Sequence, residues 1–392
     1  LNTEVAHTKA WVAAFAALMA TTMAAATVVV NSVGLLASEL IDEFGLSRAE
    51  VGGLATSFGV VAALTSIPFG HGADRFGGRP TMVAVLALSA LSLVTFALAP
   101  SYVVLLVALA VGGLANAGAH PGTNHVISAQ LPVGRRGLVT GIKMSGVQLA
   151  VFAAGLGLPI GIRVVGWRPT MLVIGAIPVL AIVALRMMLP PTRSRSTSAP
   201  GDGTAPGTMA LTLYTFVMSA ATAATVTYVP LFAEERLGLS VGSAGVALAL
   251  IGGTAVVGRI IWGAVAERAA RITVPLQLVG YASAAAVVGV FVSGHVGSGL
   301  LWPVAVALGA TASSYNSVAT MTLFRITPSD AVGRASGVVF TGFLAGLAAG
   351  PLAFGALVDA NESYGPAWIA TGVSFVVASF IVLVGLRRVA DG

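Results

Sequence analysis

Residues 116–148 read NAGAHPGTNHVISAQLPVGRRGLVTGIKMSGVQ. They hold the ends of two apolar runs, 102–131 and 137–161, which meet at a short basic turn carrying Arg135 and Arg136. Each run is long enough for a helix of ~20 residues to cross a bilayer. Asn116, His120 and Asn124 recur at intervals of four in the first run, so they share one helical face. Gln148 and Lys143 interrupt the second run. An unpaired charge in hydrocarbon costs several kcal/mol, so Lys143 marks a functional site or a side chain stretched to the interface.

Working outward, the same pattern repeats. Apolar runs cover 10–37, 51–70, 80–99, 102–131, 137–161, 168–189, 209–233, 241–264, 272–293, 300–323, 334–358 and 366–387. The 392 residues are 57% apolar and only 9% charged, against about 25% charged in soluble domains. The expected class is therefore an all-α polytopic membrane protein with twelve spanning helices. The runs lack the alternation that a membrane barrel requires. Forty-eight glycines suit close helix packing in lipid. The first run is too long for the apolar core of a signal peptide.

A net charge of +6 raises the question of nucleic acid. The placement of the charges excludes it, because the cations sit in short turns with no aromatic-interleaved basic patch. Fourteen of the twenty basic residues fall on one side of the predicted topology, from Lys9, Arg75 and Arg79 through Arg186, Arg193 and Arg195 to Arg387 and Arg388. Only Arg48, Arg163, Arg168 and Arg236 fall on the other, beside eight of the fourteen acids. The basic side is expected to be cytoplasmic, with both termini there and the protein in the cytoplasmic membrane. There is no cysteine, so thiolate metal ligands and disulfides are excluded. His120 and His125 lack the partners for a metal site, and no phosphate-cradling loop occurs, so no cofactor is expected.

Residues 190–208, PPTRSRSTSAPGDGTAPGT, read as a flexible linker. They divide the spans six and six, giving an N-terminal bundle over 1–189 and a C-terminal bundle over 209–392. The halves echo each other. Gly70-His-Gly-Ala-Asp74-Arg75 returns as Gly263-Ala-Val-Ala-Glu267-Arg268, offset by 193, and Gly146 answers Gly342 at an offset of 196. Parallel repeats of this kind are found in one large class of secondary transporters.

Gly70-His-Gly-Ala-Asp74-Arg75-Phe76-Gly77-Gly78-Arg79 resembles the loop 2–3 signature of the major facilitator superfamily. The resemblance, with its degenerate copy and the six-plus-six layout, covers nearly the whole chain. It implies two six-helix bundles related by a pseudo-two-fold axis, rocking about a central cavity. Gly70, Asp74, Arg75, Gly77 and Arg79, with Glu267 and Arg268, would hold the cytoplasmic gate closed. Gly78 stands where the family commonly has a basic residue. Gly146, Gly155 and Pro159, with Gly346 and Gly350-Pro351, resemble in part the glycine–proline pattern of antiporters; close helix packing explains the same residues.

Arg259-Ile-Ile-Trp-Gly263 resembles the span-eight stretch of monocarboxylate porters, whose arginine engages the carboxylate. Gly141-Ile-Lys143-Met-Ser-Gly146-Val resembles a stretch of the cyanate permease-like branch. Lys143 and Arg259 lie at similar depth in opposite halves, and no Asp or Glu falls mid-span. An electropositive cavity without acids favours an anion. His120 is the candidate proton carrier. The expected solute site comprises Lys143, Arg259, His120, Asn124, Asn116, Gln148, Tyr228, Tyr315 and Asn316.

The leading expectation is a monomeric secondary transporter of a small anion, such as a monocarboxylate or a cyanate-like ion, coupled to protons and working by alternating access. Proton-driven efflux of drugs or amphiphiles is the alternative, which the lack of a buried acid disfavours. An intramembrane enzyme or sensor would need a catalytic cluster or signalling domain, and neither is visible.

Overall fold

The computed structural model describes residues 8–189, 207–327 and 332–386. Residues 190–206 of the expected linker lie outside them, as do Arg193, Arg195, Arg387 and Arg388. The side chains of Arg135 and Arg334 are likewise outside the described set.

The helices in chain order are α1 Lys9–Ala25, α2 Val28–Val33, α3 Ala37–Phe44, α4 Arg48–Phe76, α5 Gly78–Ala97, α6 Tyr102–Gln130, α7 Val133–Val165 and α8 Trp167–Met188. The second half has α9 Thr208–Glu235, α10 Val241–Arg268, α11 Thr273–Val296, α12 Leu301–Ala310, α13 Tyr315–Ile326, α14 Val332–Asn361 and α15 Tyr364–Gly385. Among the described residues, ten of these are long and apolar enough to cross a membrane. The other two apolar runs are broken: the first into α1, α2 and α3, the tenth into α12 and α13. Together they are consistent with twelve crossings.

Each break has a local cause. In the first run, the Thr27 hydroxyl bonds back to the Met23 and Ala24 carbonyls. Gly34 then brings the backbone onto the Thr227 carbonyl of α9, where a Cβ would have no room. In the tenth run the chain leaves the helix over 311–314, and the exposed carbonyls find side-chain donors. Trp262 Nε1 donates to Ala310 O at 2.7 Å, Thr222 Oγ1 to Ala312 O at 3.0 Å, and Arg259 Nε to Ser313 O at 3.4 Å. A break at membrane depth is tolerated only when its polar groups are satisfied in this way.

Packing within each half is tight, with α6 against α4 and α5, α7 against α1, α9 against α14, and α11 against α15. Across the halves, α4 packs along α14 and α7 along α10. These two seams are glycine contacts. Gly52 meets Pro351, Gly59 meets Ala348, and Gly155 faces Gly245 backbone to backbone. Small residues let helices approach this closely where lipid offers no hydrophobic driving force.

The largest apolar core spans both halves, joining Leu54 and Phe58 to Tyr228, Phe354 and Trp368. A second, around Phe15, Met82, Val126 and Leu185, belongs to the first half alone. The halves are thus fused toward one end and separate toward the other.

Candidate solute site and gates

The deepest charges come from opposite halves. Lys143 on α7 is 1% exposed, and its Nζ donates to Asn124 Oδ1 of α6 at 2.6 Å. Arg259 on α10 reaches across the seam, where Nη1 donates to the Met144 carbonyl of α7 at 3.3 Å. Its Nε holds the Ser313 carbonyl at the break before α13. Both cations therefore rest on neutral oxygens. Among the described residues, neither has a carboxylate partner.

His120 is within electrostatic reach of both. Its ring meets Phe340 of α14 edge-on, with centroids 5.3 Å apart, so this contact also bridges the halves. Phe340 stacks in turn on Phe343 at 5.5 Å. Tyr315 opens α13 next to Arg259 and packs against Tyr214 at 6.2 Å. The Tyr315 hydroxyl is buried, meets no carbonyl among the described residues, and has the Ser219 hydroxyl close by.

The end of the molecule that carries the acidic turns is sealed. Arg48, opening α4, pairs with Glu235 of α9 at 2.8 Å and approaches Asp359 of α14 at 3.8 Å. The Asp359 carboxylate accepts from the Arg48 and Ala49 backbone N–H groups at 3.2 and 2.7 Å, capping α4 from the opposite half. Tyr228 donates to the Arg48 carbonyl and stacks on Phe354. Tyr364 donates to Glu235 at 2.7 Å, and Ser38 to Glu234 at 2.7 Å. Within the first half, Glu43 accepts from Arg168 at 2.6 Å and from Trp167 at 2.8 Å. The Arg168 hydrogen bonds hold the Glu43 carboxyl below its ordinary range.

The basic end is parted. Among the described residues Asp74 pairs with His125 of its own half alone, Oδ1 to Nε2 at 2.7 Å. Arg75 lies over the Phe76 ring, and Arg79 Nε is buried with no partner among the described residues. Among the described residues Glu267 and Arg268 have no ion-pair partner, and nothing stands within 4 Å of a Cβ at Gly70 or Gly263. Leu64 and Ile67 of α4 and Ile260 and Ile261 of α10 are exposed. Gly78 explains its own departure from the expected basic residue. A Cβ there would stand 2.7–2.8 Å from Val126, Gly122 O and His125, so an arginine side chain has no path out.

The model of the Major Facilitator Superfamily matches residues 10–323. The chain belongs to the major facilitator superfamily. Among solved structures, it is similar to a bacterial homologue of the human lysosomal transporter Spinster. In the inward-facing, occupied form the identity is 20%, coverage is 96% of each chain and the TM-score is 0.78. In the inward-facing, unoccupied form the values are 18%, 98% of each chain and 0.80. At these identities the likeness shows the fold alone; the family match makes the chain a multi-pass membrane transporter.

Within this superfamily fold, the expected site residues separate into groups. Lys143, Asn124, His120, Arg259 and Tyr315 come together. Asn116 lies buried on the same face of α6, one turn deeper than His120. Gln148 is buried, with its backbone against Gly252 at the α7–α10 seam. Asn316 is half-buried beside Tyr315. Tyr228 does not join them, because its hydroxyl belongs to the seal on Arg48. Sequence reading missed the seal itself, although Arg48 stood out as one of the few cations on the acidic side. It also missed Met144 and Ser313, which contribute only backbone oxygens.

Proposed function

We propose that this transporter carries a small anionic solute across the cytoplasmic membrane by alternating access, coupled to protons. One observation supports this above the rest: Lys143 and Arg259 converge from opposite halves onto neutral oxygens, with no acid to balance them. An anion supplies the missing charge, and charge-assisted hydrogen bonds to it are strong. Arg259 offers a planar fork suited to a carboxylate, and Lys143 a point charge. The buried Tyr315 hydroxyl, beside Arg259, is a third donor. Asn116, Gln148 and Asn316 line the approach.

In the proposed orientation the basic end is cytoplasmic, and the bundles of 1–189 and 209–392 are joined by a cytoplasmic linker over 190–208. The parted end then faces the cytoplasm. Asp74, Arg75, Arg79, Glu267 and Arg268 form the gate that closes in the opposite state, with Gly70 and Gly77 shaping the turn. His120 carries the coupled proton, and the working unit is a monomer.

The test is uptake of a panel of carboxylates and inorganic anions into proteoliposomes, followed by calorimetric binding of the best substrate. Lys143→Gln and Arg259→Gln should each weaken binding by ~2–5 kcal/mol, as truncation of desolvated charge pairs does. His120→Gln should leave binding without its pH dependence. Wild-type affinity in both charge variants would remove this site and favour efflux of uncharged amphiphiles instead.

A further inference from the structure

A groove of about 560 Å3 runs between α10 and α11 at the basic end. Ile260, Ile261, Val265, Val274 and Leu278 line it, and Arg268 stands at its rim. It exists because α11 packs chiefly on α15 and α12 and scarcely touches α10. In a bilayer such a groove cannot hold water along its apolar wall, so hydrocarbon must fill it.

The rim adds charge to the apolar wall. The C-terminal carbonyls of α10 are served by Arg325, which donates to Ala266 O at 3.3 Å and Ala269 O at 2.8 Å. Arg268 and Arg271 are therefore not needed there, and among the described residues neither pairs with an acid. Both are exposed. The next helix, α11, begins at Ile272 without a side-chain cap, and Val274 and Pro275 of its first turn line the groove. An apolar trough lined by Arg268, an uncapped helix start, and Arg271 just ahead of that helix start are thus neighbours at the basic end.

We propose that this groove binds one anionic phospholipid, with an acyl chain in the trough and the phosphate on Arg268 and Arg271. Basic pockets between membrane helices hold acidic headgroups by this combination of charge and chain. The proposal does not depend on which solute is carried. The lipid sits outside the solute site, on the arginine that the family resemblance assigns to the gate. In the state seen here Arg268 makes no gate contact, so the lipid would favour this state over the opposite one.

Native mass spectrometry of the purified protein, titrated separately with phosphatidylglycerol and phosphatidylcholine, tests this. Phosphatidylglycerol should bind more tightly at the first site, and Arg268→Gln should weaken it roughly fivefold, the value of about 1 kcal/mol per surface cation. Ala264→Trp fills the trough and should lower retention of either lipid with both arginines intact; its fold is checked by circular dichroism. Soluble glycerol phosphate should not be retained. Equal binding of the two lipids, unchanged binding in Arg268→Gln, or retention of glycerol phosphate as firmly as the whole lipid would each overturn the proposal.

Discussion

Two tyrosines of the same chemical type end in different roles, and the difference lies in their acceptors. Tyr228 has one, the Arg48 carbonyl in the opposite half. Tyr315, equally buried, meets no carbonyl among the described residues and lies beside Arg259, with the Ser219 hydroxyl close by. Tyr315→Phe should therefore cost anion affinity, about 1.5–3 kcal/mol if the phenol donates to the charged group, with thermal stability unchanged or improved. Tyr228→Phe should leave affinity intact and loosen the seal. Calorimetry with the transported solute separates the two, and an unchanged affinity in Tyr315→Phe would take that residue out of the proposed site. No sequence signal could have sorted them. Both stand as lone hydroxyls in apolar runs, and only the fold decides which one meets a carbonyl. Lys143 and Arg259 were legible because a charge in hydrocarbon demands an explanation wherever it occurs.

At the level of elements, helix packing rests on glycines that meet backbone. Gly52 of α4 touches Pro351 of α14 so closely that any side chain must push the two apart. Gly52→Leu should prise this seam open, with an overpacking cost of about 1–3 kcal/mol. The check is Thr56→Cys in this cysteine-free chain, because Thr56 lies deeper in the same seam with its hydroxyl on the Ala348 carbonyl. A membrane-impermeant thiol reagent applied from the acidic end should label Thr56→Cys readily only when Gly52→Leu is also present. Equal labelling without it would mean that the seam is already open. Ten of the spans were legible as apolar length alone, since a crossing is almost a statement of composition. The breaks in the first and tenth runs were not. In the tenth run the freed carbonyls are satisfied by Thr222, Arg259 and Trp262, tens of residues away in sequence, and in the first Gly34 meets α9, so an intact run and a broken one read alike.

Across the whole molecule, the two ends hold opposite charge networks in opposite states of assembly. The acidic end is tied by Arg48, Glu235 and Asp359, while Asp74 at the basic end has turned to His125. Substitutions at the two ends should therefore displace the equilibrium in opposite directions. Asp359→Asn weakens the cap on α4 and favours opening at the acidic end. Asp74→Asn removes a contact needed when the basic end closes, and should slow transport with little change in equilibrium affinity. Spin-label distances across each end, measured with and without substrate, check both. A loss of affinity with turnover intact in Asp74→Asn would contradict its place in a gate. The offset of 196 that relates Gly146 to Gly342 also relates Arg163 to Asp359, yet the two seams end differently. Asp359 caps the start of α4, whereas Arg163, with no acid partner among the described residues, stands 3.6 Å from the Cβ position of Gly242 in the first turn of α10. A cation at a helix start is repelled by the macrodipole, where a carboxylate is held. One edge of the mouth is thus bolted and the other merely rests. The bundles should swing rather than separate evenly, with the α7–α10 edge yielding first and the α4–α14 edge serving as the hinge until its bolt releases, so that the vestibule at the acidic end opens as a wedge.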